Sequence, residues 1–491
     1  MVNRLDLYRC VWCGMHLQQV DSITLLCRSC SKSYPIVSDV PILTLRPRAL
    51  LTAATRALQA VRTTLRDLDA ELVNTCAMDP GRKAFQGRAE RALAGTRANL
   101  VLVEKYWTPA ADFVREYKLD FIDTLHNCAA GWSPDAMLPY FYQDWAPTED
   151  FSRAKNFMVS AVSRHRPDAQ AIAVLGAGAC GLAHAIASSF EHVYGIDLSA
   201  PTLLIARAVL RGEAVVIHLE NASWHPVHLQ NLEPPRSNVH LAVADVARLP
   251  LPPDSMSAVV TQYLMDVVGN PYAIAREIHR VLKPGGVWLN FSRPMWLPSE
   301  PRELGRPSNE ELPHFLGQNG LELVDSGRER FVVLNLAAVS VEATVAEHDV
   351  QVFTARKVSG AKYVPDPSGQ FEWGDDEGWW QSVPELMRRG RGRINSIIAY
   401  KPGGAARYIE VTLGEGRVRM DQKDADLLQR LLDLVDGKRI LGEIYNTLLA
   451  GGCTVNRTEF RELFHYLSER HGIVDLRSNS VTADAGRPVV A

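Results

Sequence analysis

Ala171-Ile-Ala-Val-Leu175 runs into Gly176-Ala-Gly178-Ala-Cys-Gly181 and then into Leu182-Ala-His-Ala-Ile-Ala-Ser-Ser189. The first run is short and wholly apolar, which suits a strand covered on both faces, and the last run suits a helix. Between them stands G-x-G-x-x-G, a spacing that lets the backbone turn sharply and come close to a bound group. His192-Val-Tyr-Gly-Ile196 reads as a second strand, ending in Asp197 about twenty residues after the first glycine. A carboxylate placed there accepts hydrogen bonds from ribose hydroxyls. These features predict an α/β chain with a Rossmann-like parallel sheet and a nucleotide-bearing ligand over Gly176, Ala177, Gly178 and Gly181. The plainer alternative is a strand–helix turn that holds nothing.

The strand-and-helix alternation continues downstream. Val239-His-Leu-Ala-Val-Ala244 is a third strand with Asp245 at its tip, then Val246 and Leu249-Pro250-Leu251-Pro252. Ser255–Thr261 is a fourth strand, and Gln262 and Tyr263 stand at its carboxyl end, where open α/β sheets bind ligands. A helix through Arg276 ends at Pro284-Gly285-Gly286, and Val287–Phe291 is a fifth strand. In this order, the glycine loop, Asp197, the Asp245 segment and Val281–Gly286 resemble the class I S-adenosylmethionine-dependent methyltransferases. The resemblance implies a seven-stranded sheet closed by an antiparallel hairpin, for which Leu321–Val324, Arg330–Leu336 and Val350–Thr354 are the candidates. It implies S-adenosyl-L-methionine as cofactor: Gly176 and Gly178 against the methionine part, Asp197 and Leu198 at the ribose, Asp245 on the adenine amino group and Val246 on the ring.

A closer resemblance is to the carnosine N-methyltransferase family, over roughly residues 90–340. Where that family has Arg-Asp-Trp-Ser, this chain has Gln143-Asp144-Trp145-Ala146. Its Ile-Asp-Thr-Ala-His-Asn is similar to Met265-Asp266-Val-Val-Gly269-Asn270, and its Gly-Gly-Ile-Trp-Ile-Asn to Gly285-Gly-Val-Trp288-Leu-Asn290. The insertion His218–Arg236, with Trp224, His225 and His228, falls where the family has one. The resemblance implies that Asp266 holds the acceptor imidazole, with Tyr263 and Asn270 beside it. A neutral azole nitrogen can attack a sulfonium methyl in line, while a carboxylate on the other ring N–H stabilises the charge that develops. The alternative role for Asp266 is a helix N-cap. Tyr140, Gln143 and Gln262 are expected at the cofactor; for Tyr140 and Trp145 the alternative is a hydrophobic brace. Two departures separate cofactor from substrate: the family's cofactor-binding Arg is Gln143 here, and its substrate-contacting His has no match in Arg293–Pro298.

Cys10-Val-Trp-Cys13 and Cys27-Arg-Ser-Cys30 are two C-x-x-C pairs. Two such knuckles facing each other make a closed thiolate site of the structural zinc type, and with no open ligand position they are not catalytic. The alternative is four reduced thiols without metal. The following Tyr34–Leu43 resembles the tail of small bacterial zinc ribbons that accompany methyltransferases, so the ribbon is expected to dock on a neighbouring domain. Cys76, Cys128, Cys180 and Cys453 read as buried thiols.

The 491 residues are 46% hydrophobic and 22% charged, which excludes a fibrous or disordered chain. Lys plus Arg number 53 against 56 Asp plus Glu, a net charge of −3, so no basic excess exists to hold a nucleic acid. The chain lacks an apolar run of the roughly 20 residues needed to span a bilayer and lacks a leader core at Met1–Cys10, so the expectation is a cytoplasmic protein. The expected organisation is a zinc ribbon (1–47), a helical segment covering the active site (48–165), the methyltransferase domain (166–358), a linker or covering segment (359–405) and a small winged-helix-like domain (406–480). In the covering segment, Trp373, Trp379 and Trp380 lie among Asp375, Asp376 and Glu377 and are expected to pack on the sheet edge, or alternatively to receive a cation. His225 and His228 read as exposed loop residues. The last domain resembles faintly the winged helices attached to peptide-modifying enzymes; Glu459, Glu462 and Glu469 offset Arg457, Arg461 and Arg470, which disfavours DNA and leaves a protein or peptide partner, or alternatively plain domain contact or oligomerisation. The function expected is methyl transfer to an imidazole or amine nitrogen of a small molecule or peptide. Its rivals are a protein or oxygen acceptor, or an inert methyltransferase-fold assembly module.

Overall fold

Short apolar runs bounded by Gly, Pro or Asp have become strands, and the long Ala- and Leu-rich runs helices, as their periodicities require. The computed structural model describes residues 5–78, 83–115, 117–118, 120, 122–123, 137–145, 149–165, 168–221, 223–229, 236–268, 270–293, 307–336, 343–358, 380–386, 393–401, 404–413, 416–420, 422–470 and 474–477. They fall in two units, 1–363 and 364–491.

The first unit holds β1 (Leu17–Asp21), β2 (Thr24–Cys27), β3 (Ser33–Val37), β4 (Val40–Leu43), β5 (Ala171–Leu175), β6 (His192–Asp197), β7 (Val215–Asn221), β8 (Ser223–Leu229), β9 (Val239–Ala244), β10 (Met256–Gln262), β11 (Leu282–Ser292), β12 (Leu321–Leu336) and β13 (Ala343–Lys357). Among the described residues one sheet contains eleven of them, in the order β1-β2-β3-β4-β9-β6-β5-β10-β11-β13-β12. From β9 to β11 the strands are parallel. β13 inserts antiparallel between β11 and β12. Every residue of β5 and β9 is buried, which is what helices on both faces demand. The chain leaves β5 for β6 and β9 on one side, then crosses to β10 and β11 on the other. That reversal puts a crevice over the carboxyl ends of β5 and β10.

Two differences from the expected sheet have physical causes. The strands number eleven rather than seven because the cysteine module is fused to the edge. Ser38 and Asp39, at φ 48° and 65°, turn the chain so that the all-buried β4 lies parallel to β9, pairing Ile42 with Val243 and Leu43 with Ala244. The closing hairpin is also longer, because the polar Asp325–Glu329 stretch stays in β12 with its side chains mostly exposed along the outer edge. The insertion at 218–236 overlaps an antiparallel hairpin, β7 with β8, so His228 lies exposed on a strand and not in a loop. The Asn99 side chain clamps it by donating to the His218 carbonyl and accepting from its N–H, both at 2.8 Å.

Helix Leu138–Trp145 is held to the sheet domain by Leu138 and Phe141, both fully buried against the Met158, Val162 and Leu182 cluster. Burial of each contributes about 1.5–3 kcal/mol. Their i, i+3 spacing leaves Tyr140 and Gln143 on other faces of the helix, while Asp144, three residues past Phe141, continues along the packed side toward the glycine loop.

The second unit has β14 (Val383–Leu386) paired with β18 (Val474–Arg477), and a three-stranded antiparallel sheet of β15 (Arg393–Lys401), β16 (Gly404–Leu413) and β17 (Gly416–Met420). Helices Gln422–Leu434, Leu441–Ala450 and Arg457–His465 follow. Trp380, expected on the edge of the catalytic sheet, instead stacks on Phe460 at 5.8 Å in this unit's own core, with Tyr445 against it and the Arg457 guanidinium 5.0 Å from its ring. Trp373 and Trp379 lie outside the described residues. No helix among the described residues is long and apolar enough to cross a membrane.

Candidate active site and cysteine cluster

The crevice floor is the glycine loop. Gly176 and Ala177 donate to the Ile196 carbonyl at 2.9 and 3.1 Å, which ties the loop to the end of β6. Gly176 and Gly178 have φ of 68° and 51°, the left-handed region where glycine has no steric cost. The Gly178 N–H donates to Asp197 Oδ2 at 2.9 Å, and the Ser199 N–H to Oδ1 at 2.8 Å. Burial pushes the Asp197 carboxyl up, and these N–H groups oppose the shift. A Cβ on Gly178 would meet nothing nearer than the Gly176 carbonyl at 3.9 Å, so the space beside Asp197 is open. Half-buried Leu198 flanks it. An open hollow with a fixed carboxylate at its side suits an adenosine-bearing cofactor. Cys180 takes φ 66° without being glycine, an arrangement costing of order 1 kcal/mol that persists at built sites.

Gly181 has a different neighbour. A Cβ there would lie 2.7 Å from the Cβ of Asp144. Asp144 Oδ2 accepts from the Gly181 N–H at 2.9 Å, and Trp145 Nε1 donates to the Ala179 carbonyl at 2.9 Å. The third glycine thus makes room for the Asp144-Trp145 pair, and half-buried Gln143 sits next to it. Burial pushes Asp144 up to about 6, opposed by the Gly181 N–H and Lys155. Sequence reasoning quoted Asp144 only as part of a motif. The signal available was that an acid inside an aromatic, half-buried helix must find a donor.

At the tip of β9, Asp245 Oδ1 accepts from the Ala247 N–H at 3.0 Å, and Val246 is half-buried beside it. The loop beyond is pinned through its backbone. Glu277 Oε2 accepts from the Leu249 N–H at 2.8 Å, and Arg280 donates to the carbonyls of Leu249 and Leu251 at 2.9 and 2.8 Å. Neither Glu277 nor Arg280 was picked out from the sequence. Prolines at 250 and 252 remove donors and leave carbonyls to be satisfied, which is the clue they offer.

Across the crevice, Asp266 is 6% exposed and its Oδ2 accepts from Arg293 Nε at 2.7 Å. Tyr263 sits at φ 47° with its N–H on the Phe291 carbonyl at 2.6 Å, and Gln262 presents its carbonyl 3.3 Å from where a Gly176 Cβ would be. Burial raises the phenols of Tyr263 and Tyr140, with Asp266 adding to both and Arg293 opposing both. Both phenols thus feel the charges of the same Asp266–Arg293 pair. Asn270 caps helix Pro271–Val281, accepting from the N–H groups of Tyr272 and Ala273 at 3.1 and 3.2 Å. The cap considered for Asp266 is thus filled by Asn270. Arg293, seen in the sequence only as a missing histidine, is the partner of Asp266. Asn290 lies deeper, where Thr261 donates to it at 2.9 Å and Trp288 donates to Thr261 at 2.9 Å, locking β10 to β11. Gly269 and residues 294–306 lie outside the described residues.

The four cysteines come together at the other side of the β9 edge. The sulfurs of Cys10, Cys13, Cys27 and Cys30 lie within 4.8 Å of one another. Cys10 and Cys30 are 3.5 Å apart, and Cys13 and Cys27 are 3.4 Å apart. Tetrahedral M–S bonds of about 2.3 Å imply S···S separations of roughly 3.8 Å, so the donor set fits one thiophilic ion after small adjustment. Both knuckles have the same backbone: Gly14 and Ser31, at φ 71° and 57°, donate to the carbonyls of Cys10 and Cys27 at 2.8 Å. The Tyr34 hydroxyl lies 3.0 Å from Cys10 Sγ as an outer support.

Residues 174–289 match the family profile described as a methyltransferase domain. No curated protein matches the chain. Among solved structures, a SAM-dependent methyltransferase from Methanosarcina mazei is 17% identical, covering 40% of this chain and 97% of that one at a TM-score of 0.30. The YcgJ protein of Bacillus subtilis is 15% identical, covering 43% of this chain and 100% of that one, also at a TM-score of 0.30. Likenesses of this degree do not bear on what is methylated. The segment that carries the glycine loop, Asp197, Asp245 and Asp266 is a methyltransferase domain, which makes the chain an enzyme.

Proposed function

We propose that the protein transfers a methyl group to an imidazole or amine nitrogen of a small molecule or peptide. The observation that carries this reading is the ion pair between buried Asp266 and Arg293 just past the end of β10, the strand that also brings Gln262 against the Gly176 turn. The cofactor supplies an electrophilic methyl group on a sulfonium. Asp197 accepts the ribose hydroxyls, Asp245 and Val246 take the adenine, and Gly178 allows close approach. Arg293 fixes one oxygen of Asp266, so the carboxylate is held in one orientation and its other oxygen accepts the acceptor's N–H. The two tyrosines wall the path and keep water from the reacting nitrogen. Incubating a cell extract with the enzyme and deuterated-methyl cofactor, then reading products by mass spectrometry, identifies the acceptor. Labelling confined to oxygen or to no compound at all would reject the nitrogen reading.

Asp266→Asn should lower kcat about 100-fold, since it removes the stabilising charge while leaving the shape. The S-adenosylhomocysteine Kd should stay within about twofold. Arg293 is 45% exposed, so its loss of a partner is screened and the fold should tolerate the change. An unchanged kcat would make Asp266 merely the seat of Arg293.

We also assign Asp144 to the cationic part of the cofactor. Its carboxyl is pushed up to about 6 in the folded state, above the unfolded value near 3.9. Its contribution to stability is therefore complete below about 4 and is lost as pH rises through about 6. The apo protein should melt progressively lower across that window. Affinity for S-adenosylmethionine should rise across the same window, because ionised Asp144 attracts the cation, and Asp144→Asn should flatten both trends. Calorimetry at pH 5 and 7.5 checks this; a wild-type affinity independent of pH would remove Asp144 from the cofactor site.

The cysteine cluster is assigned a structural zinc ion, and the second unit a protein or peptide partner. The three-stranded sheet followed by three helices supports the latter, since its outer strands β15 and β17 are each paired on one side within that sheet. A cytoplasmic location fits the reduced cysteines.

A further inference from the structure

The cysteine module grips the loop that carries Asp245 and Val246. β4 pairs with β9 up to Ala244, the residue before Asp245. The Arg9 N–H donates to the Pro250 carbonyl at 3.0 Å. The Arg248 guanidinium, on a side chain only 7% exposed, donates to the Val11 carbonyl at 3.1 Å. Val11 lies inside the first knuckle, between Cys10 and Cys13. Tyr8, fully buried, stands edge-on to Tyr194 of β6 at 5.9 Å, and Asp39 pairs with Arg211 on the far side of the same junction.

The two halves of the loop are held differently, since only the 249–251 half has further anchors outside the module besides the Arg9 N–H on Pro250. Leu249 and Leu251 are held by Glu277 and Arg280, which belong to the sheet domain itself. Arg248, two residues from Val246, is held to the knuckle. The knuckle's carbonyl direction depends in turn on the four sulfurs being drawn to one point, because Val11 is flanked by two of the ligands. We propose that Arg248 is a positioning residue for the cofactor, tying the adenine loop to the first knuckle, so that occupancy of the cysteine site sets the affinity for adenosine. This rests on the reading of Asp245 and Val246 as the adenine contacts and of the four cysteines as a zinc site. Effects transmitted this way are graded, because the 249–251 half of the loop stays pinned without the module.

The test uses the full-length, zinc-loaded protein, with S-adenosylhomocysteine titrated by calorimetry and zinc measured by mass spectrometry. Failure of the wild type to bind would reject the cofactor reading itself, separately from this inference. Given wild-type binding, Arg248→Met should raise Kd about tenfold, keep the zinc content, raise KM for the cofactor and leave kcat at saturation within about twofold. Arg248→Lys, which keeps one donor, should recover part of the loss. Chelating zinc from the wild type should raise Kd to a similar degree, and chelation should add little on top of Arg248→Met, since both break one link. An unchanged Kd in Arg248→Met, effects that add in full, or a protein that carries no zinc would each overturn the proposal. Should Arg248→Met fail to fold, hydrogen exchange in the wild type decides. Exchange in residues 245–248 should quicken on chelation while 171–181 stay protected, and equal protection of 245–248 with and without zinc would overturn it.

Discussion

Asp197→Ala should raise the Kd for S-adenosylhomocysteine by about 100- to 10,000-fold. The carboxylate already receives the Gly178 and Ser199 N–H groups, one on each oxygen, and that is what fixes its direction. Each oxygen keeps a lone pair facing the open side of the loop, and two ribose hydroxyls can take them. Hydrogen bonds to a charged acceptor contribute about 1.5–3 kcal/mol each, so two together account for the range given. Asparagine is no mild substitute: its NH₂ would face an N–H donor whichever way the amide is turned, so Asp197→Asn should lose nearly as much. Alanine also leaves two backbone N–H groups without their acceptor, and a fall of a few degrees in Tm should accompany the loss of binding. Isothermal titration with circular dichroism on the same samples measures both. A Kd within threefold of wild type, in a folded protein, would mean that the cofactor's sugar lies elsewhere.

What the sequence disclosed, and what it hid, follows from how local each determinant is. β5, the glycine loop and Asp197 are readable because strand, turn and second strand lie within one crossover unit, and the spacing itself encodes the geometry. The two C-x-x-C knuckles are local in the same sense, although Ser31 in the left-handed position of the second could not be told from an ordinary serine. Long-range placements left no such trace. That Gly181 makes room for Asp144 depends on a helix from another segment docking on the loop. The fusion of β4 to β9 joins segments about two hundred residues apart, and parallel pairing carries no turn signature. Arg293 looked like an absence because the comparison was with a histidine; its meaning appears only once β11 delivers it to Asp266. Asn270 follows the strand that the sequence marks for the site, and Pro271 behind it makes it a helix cap as well.

Removing the zinc proposed for the four thiols should unfold the N-terminal edge of the sheet and lower the Tm of the first unit by well over 10 °C. Structural zinc in four-thiolate knuckles contributes apparent free energies of about 10–16 kcal/mol, comparable with the whole net stability of a domain at about 5–15 kcal/mol. The damage cannot stay within the ribbon. Val37, Val40 and Ile42 belong to the same buried cluster as Leu50, Leu51 and the β6 and β9 side chains, so freeing the knuckles loosens the β9 edge of the core while β5 and β10 at the centre of the sheet stay packed. Tyr8, Tyr34 and Leu43, each at most 1% exposed, would be wetted as well. Even a loss of about 4 kcal/mol, spread over a domain of this size, corresponds to roughly 8–16 °C. Cys27→Ser should lie between the two states, since three thiolates still bind zinc but leave a coordination position to water. Cys453→Ser is the control, because that half-buried thiol lies in the other unit and should leave this transition where it was. Calorimetric scans before and after a zinc chelator, with the metal counted in the same samples, decide the matter: an unshifted transition would show that four adjacent thiols hold this edge together by packing alone.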